Sequence, residues 1–193
     1  MKYLYLDTET GGVNARQDAL LTIGLVAHDD EKGILETAHI LVESNGFNVH
    51  PKALEINHIE LASHNAQAVT RTTAAHLVDA FIIRNFGRGY TNKPFVVGHN
   101  IGFDRGFMDP LWDGDKPYSY RNLDTMGIGL LMYDLGILPN AKNLKLDFFI
   151  ERYGVEIEAK DRHTALGDAL ATRIVHLAQR QEIEDFYRIK YSK

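Results

Sequence analysis

The chain opens on a short apolar run, Tyr3-Leu4-Tyr5-Leu6, that turns acidic at Asp7 and Glu9. Such a run predicts a strand over 2–8. Apolar, β-branched stretches over 19–28 and 34–43 predict two more strands, joined as a hairpin by Asp29-Asp30-Glu31-Lys32-Gly33. Helical spacing then takes over. Short helices are expected over 51–57 and 60–66, and a longer one over 70–86 with Leu77, Phe81 and Ile82 at helical spacing. Pro94-Phe95-Val96-Val97-Gly98 reads as a buried strand. It is followed by a helix near 103–112, a strand near 119–124, and helices near 125–135, 143–153, 163–180 and 182–189. The order βββ-α-β-α-β-α predicts an α/β fold with a mixed sheet, an antiparallel N-terminal meander plus parallel strands, covered by helices. With no repeat and no linker-like tract, residues 1–193 are expected to form a single domain.

Composition narrows the chemistry. There is no cysteine, which excludes disulfides, thiolate zinc sites and cysteine nucleophiles and fits a reducing compartment, so a cytoplasmic location is expected. No run approaches the length of a membrane-spanning helix, and no membrane association is expected. The net charge of −5 argues against a protein that coats nucleic acid through a basic surface. It leaves open an acidic site whose bound cations reverse the local field.

The candidate chemistry is a set of acids at ordered positions. Asp7 and Glu9 alternate with Thr8 along a strand, so their side chains share one face with Cα atoms roughly 6.7 Å apart. Asp104 falls just after the buried strand ending at Gly98. His163 and Asp168 are five residues apart, about 140° around an ideal helix, and converge only if His163 lies on the entering loop. Each part also has a plainer reading. Asp7 and Glu9 can be a polar strand end running into Gly11-Gly12, and Asp104 an acid at a helix start. His163 can be a surface histidine, and Asp168 a solvated helix position. Leu166, Leu170, Ile174 and Leu177 mark an apolar face close to Asp168.

Taken together, the segments resemble the three motifs of the DEDDh group of 3′→5′ exonucleases, in the ribonuclease H-like superfamily. They are Leu6-Asp7-Thr8-Glu9-Thr10, Gly98-His99-Asn100-Ile101-Gly102-Phe103-Asp104 and His163-Thr164-Ala165-Leu166-Gly167-Asp168-Ala169. The resemblance runs over about 3–178. Asp124-Thr125 and Asn143-Leu144 match secondary landmarks of a structural kind. The resemblance implies a ribonuclease H-like fold and two divalent ions, Mg²⁺ or Mn²⁺, held by Asp7, Glu9, Asp104 and Asp168. It also implies His163 as general base and nucleoside 5′-monophosphates released from the 3′ end. The implied substrate contacts are Thr8, Thr10, Ile56, Asn57, Asn100 and Phe103. Of these, Asn57 can equally be a turn residue and Phe103 a core residue. Thr10-Gly11-Gly12 departs from the frequent Thr-Thr-Gly, and Asn57-His58 from the frequent His-Gly.

The implied partner is the 3′ end of single-stranded DNA or RNA. Arg84, Arg88, Lys93, Lys142, Lys145 and Arg152 are candidate backbone contacts, or a solubilising surface. A polymerase or a second copy is a possible protein partner, with Ile183, Phe186 and Tyr187 docking on it or on the same chain. Other readings are a catalytically silent binding relative, a phosphodiesterase acting on small nucleotides and a purely structural domain.

Overall fold

A computed structural model describes residues 1–139, 141, 143–158 and 160–191. Lys142, one of the candidate backbone contacts, lies outside them. The sheet consists of β1 (Lys2–Thr10), β2 (Leu20–Asp29), β3 (Gly33–Leu41), β4 (Phe95–Gly98) and β5 (Asn122–Asp124), in the order β3-β2-β1-β4-β5. β1 pairs antiparallel with β2 and parallel with β4. β2–β3 is antiparallel and β4–β5 parallel. This is the mixed sheet the pattern predicts, with β1 buried at its centre.

Period-two alternation gives β1 two chemically distinct faces. Leu4 and Leu6 point into a core shared with Val78, Phe81, Ile101 and Phe107. These come from α3 (Arg71–Phe86) and α4 (Ile101–Met108). Tyr3 and Tyr5 point the other way, into a cluster with Val26, Val97 and Ala169 of α7 (Ala165–Tyr191). The remaining helices are α1 (Pro51–Asn57), α2 (Leu61–Gln67), α5 (Thr125–Asp134) and α6 (Leu146–Tyr153). No helix among the described residues is long and apolar enough to cross a membrane.

Several expectations need correction. Leu77 of α3 is exposed, and the inner face is Ala74, Ala75, Val78, Phe81 and Ile82. The helix around Asp104 begins at Ile101 rather than 103. The two C-terminal helices expected around 163–180 and 182–189 are one helix, α7. Nothing between them breaks a helix, and tertiary contacts continue across the junction. Ile183 and Phe186 pack with α6, while Glu182 accepts hydrogen bonds from Tyr153 Oη (2.7 Å) and Arg152. Ile183 and Phe186 therefore dock on their own chain. The buried residues of α7 include Ala165, Ala169, Ala171, Thr172, Val175, His176 and Gln179, and Ile174 faces outward. Small side chains let this helix lie close to the sheet.

Beneath α7, Tyr5 Oη lies 2.8 Å from His176 Nδ1, and Arg173 donates to His28 Nδ1 (3.1 Å). Burial, helped by the Arg180 charge, holds His176 down at about 4 from an ordinary 6.5. A histidine depressed in this way supports folding above its unfolded value, and that support is lost as the pH falls through the folded one. The melting temperature should drop between about pH 6.5 and 4 more steeply in the wild type than in His176→Gln, measured by thermal unfolding across that range.

Candidate active site

The active-site candidates gather at the end of β1, reached from both faces of the sheet. Asp7 and Glu9 continue the Tyr3-Tyr5 face and so meet α7. One carboxylate oxygen from each of Asp7, Glu9 and Asp168 lies within 4.8 Å of the others. Asp104 comes from the opposite face. It sits in the first turn of α4, is 3% exposed, and its Oδ1 accepts from the Thr8 backbone N–H (2.9 Å) and from Thr8 Oγ1 (2.8 Å). Thr8 thus joins Asp104 to the strand that carries the other two acids.

Gly24 makes this convergence possible. It pairs with Asp7 across β1 and β2, and a Cβ there would lie 2.1 Å from the Ala165 carbonyl oxygen at the start of α7. Backbone cannot give way as a side-chain tip can. Gly24→Ala should therefore destabilise the fold by about 3 kcal/mol or more, read from the denaturant midpoint, and move Asp168 away from Asp7.

Three non-glycine residues adopt the left-handed region among those described: His58 (φ 55), Asn100 (φ 59) and His163 (φ 58). Such strain persists where surrounding structure enforces it, often at functional sites. Asn100 lets the chain turn from β4 into α4, with its N–H donating to Asp124 Oδ1 (2.8 Å). Asp124 also caps α5 through the Met126 N–H (2.9 Å), the structural role expected of that landmark. His163 lies on the loop entering α7, as convergence with Asp168 requires. Its ring faces His58 edge-on at 6.4 Å between centroids.

The electrostatics follow from packing acids together out of water. Burial, then the charges of Asp104, Asp168 and Glu9, hold Asp7 well above its ordinary range. Burial and the Asp168 and Asp104 charges raise Glu9 to about 8. Burial raises Asp104 to about 7 against the lowering pull of the Thr8 hydrogen bonds. Burial also raises Asp168, opposed by Arg162 and His163. The guanidinium of Arg162 bonds Asp168 Oδ1 and Asp147 Oδ1. An oxygen-only cluster whose charges repel one another suits a hard divalent cation, which would relieve that repulsion.

A cavity of about 570 Å³ adjoins Glu9, with Thr8, Thr10, Ile56, Asn57 and Phe103 among its lining. Asn100 is exposed and does not line it. Several of these groups are already engaged within the protein. Thr8 Oγ1 donates to Asp104, Thr10 Oγ1 to the Gly12 carbonyl (2.7 Å), and Asn57 Nδ2 to the Thr10 carbonyl (3.3 Å). Asn57 Oδ1 accepts from the Ile59 N–H (3.2 Å). The apolar surfaces of Ile56, which is exposed, and Phe103 remain for a ligand. The cavity also contains Val13, Lys52 and His50, which sequence reasoning missed. His50 Nε2 is held by the buried Asp18 carboxylate at 3.0 Å. Arg84 pairs with Glu36, Lys93 with Asp115 and Arg152 with Glu182, which favours the surface reading of those cations.

Comparisons with known proteins place the chain in a family of exonucleases. A family profile described as "Exonuclease", RNase T, matches residues 4–175. Ribonuclease T of Photorhabdus laumondii subsp. laumondii is 29% identical over 173 residues, covering 84% of this chain and 76% of that protein. A crystal structure of E. coli exonuclease I with a dT13 oligonucleotide superposes with a TM-score of 0.74 at 18% identity. The match covers 98% of this chain and 43% of that one, so this chain spans less than half of exonuclease I. The zinc-bound form of the E. coli exonuclease I complex with single-stranded DNA gives 0.75 at 18% identity, covering 98% and 42%.

Proposed function

This chain belongs to the RNase T exonuclease family and is a 3′→5′ exonuclease of that family, and we propose that it uses two divalent cations, Mg²⁺ or Mn²⁺, with His163 as general base. Members of the family are metal-dependent. The observation that carries the finer reading is the convergence of Asp7, Glu9 and Asp168 within 4.8 Å, with Asp104 brought to the same strand end by Thr8. These four residues would hold the ions. Bound there, the ions would ease deprotonation of the attacking water and stabilise the departing 3′-oxygen.

His163 would take the proton of that water, since its loop sits at the carboxylate cluster. Water adds to phosphorus, the bond to the 3′-oxygen breaks, and a nucleoside 5′-monophosphate leaves a strand one residue shorter. Ile56 and Phe103 would hold the last base by contacts that tolerate any sequence. Thr8, Thr10 and Asn57 shape that pocket from within. Single-stranded 3′ ends are the substrate this arrangement favours.

Digestion of matched 3′- and 5′-labelled single-stranded DNA and RNA oligonucleotides, with Mg²⁺, Mn²⁺ or EDTA, tests the proposal. Stepwise, metal-dependent shortening from the 3′ end is expected. Folded protein that binds Mn²⁺ yet shortens neither polymer would point instead to a silent binding relative or to a small phosphodiester substrate.

A further inference from the structure

The Arg162 charge bears on Asp7, Glu9 and Asp168 alike. Its guanidinium bridges two acids of different kinds. One nitrogen bonds Asp168, a member of the convergent cluster, and the other bonds Asp147, a largely exposed acid in the first turn of α6. The side chains of Arg162 and Asp168 are 19% and 13% exposed, so the bond between them is partly shielded from water. A guanidinium is a planar fork of donors that can hold two carboxylates at once. Arg162 also directly precedes His163 in the chain.

We propose that Arg162 is a resident counter-ion of the carboxylate cluster, competing with divalent cations for Asp168, and that Asp147 is the second anchor holding it when a cation takes its place. The inference rests on the metal reading above. With either partner, the guanidinium keeps the His163 segment tied to a helix, so Arg162 acts as a positioning residue. Asp147 lowers the barrier to metal entry by giving the displaced charge an anchor outside the cluster.

The test is Mn²⁺ titration by calorimetry, with thermal unfolding in EDTA, on the full chain. A unit charge about 6 Å from a divalent ion costs a factor of roughly ten in affinity at water-like screening. Arg162→Gln should therefore bind Mn²⁺ roughly tenfold more tightly than wild type, yet melt at a lower temperature in EDTA. Arg162→Lys keeps the charge and should bind Mn²⁺ about as wild type does. Asp147→Asn leaves Arg162 with Asp168 alone and should weaken Mn²⁺ binding. That weakening should vanish when Arg162→Gln is combined with it. Equal or weaker binding by Arg162→Gln, or an Asp147→Asn effect that persists in the double variant, overturns the proposal. Arg162→Lys and Asp147→Asn decide the matter if Arg162→Gln does not fold. Wild-type protein that binds no Mn²⁺ would defeat this inference and the metal reading together. A failure confined to the variants would defeat this inference alone.

Discussion

Asp7→Asn is expected to abolish strand shortening while raising the melting temperature in EDTA. The loss should be on the order of 10⁴-fold or more, because the residue belongs to the cluster that would hold the ions. The gain in stability comes from the same packing. Burial and three neighbouring acids hold Asp7 well above its ordinary range. A carboxyl that binds its proton more tightly when folded costs stability as the pH rises from its unfolded value through its folded one. For Glu9 that window runs from about pH 4.5 to 8. Wild-type protein in EDTA should therefore melt progressively lower across this window, and saturating Mn²⁺ should reverse the trend. Asp7→Asn should flatten it by removing one of the repelling charges. Thermal unfolding at several pH values, with EDTA and with Mn²⁺, checks each part. An Asp7→Asn protein that melts lower than wild type in EDTA would contradict the account.

His163→Ala separates proton transfer from metal binding. The expected loss of rate is roughly 10²–10⁴-fold, the usual range for a general base. Mn²⁺ affinity should stay close to wild type, because the cluster of Asp7, Glu9 and Asp168 does not include the imidazole. Single-turnover rates beside Mn²⁺ titrations distinguish this from a change in binding. Equal, mild effects on rate from Asp7→Asn and His163→Ala would undo both assignments.

Much of this was legible in the chain because it is local. The strand alternation that points Asp7 and Glu9 to one face is a property of three consecutive residues. The β2–β3 hairpin announces itself through Asp29 to Gly33. What was not legible depends on approach across the fold. Nothing near Gly24 in sequence shows that Ala165 will pack on it and set how closely Asp168 comes to Asp7. The hold of Thr8 on Asp104 spans ninety-six positions, and spacing alone put all four acids on one footing. Arg162 was visible as a neighbour of His163, but its second partner, Asp147, depends on where α6 lies. The merging of two expected helices into α7 has the same origin. Packing of Ile183 and Phe186 on α6 carries the helix through a stretch that propensity alone leaves undecided. The cavity lining at Val13, His50 and Lys52 comes from segments far apart in sequence, joined by backbone bonds such as His50 N–H to the Gly11 carbonyl.

The most direct measurement is a crystal structure of the full chain grown with Mn²⁺ and a nucleoside 5′-monophosphate, with anomalous scattering used to locate the metal. The account predicts two manganese peaks among Asp7, Glu9, Asp104 and Asp168, with Arg162 withdrawn from Asp168 and the nucleotide's base between Ile56 and Phe103. Manganese bound elsewhere, or no anomalous peak at this cluster, would contradict it.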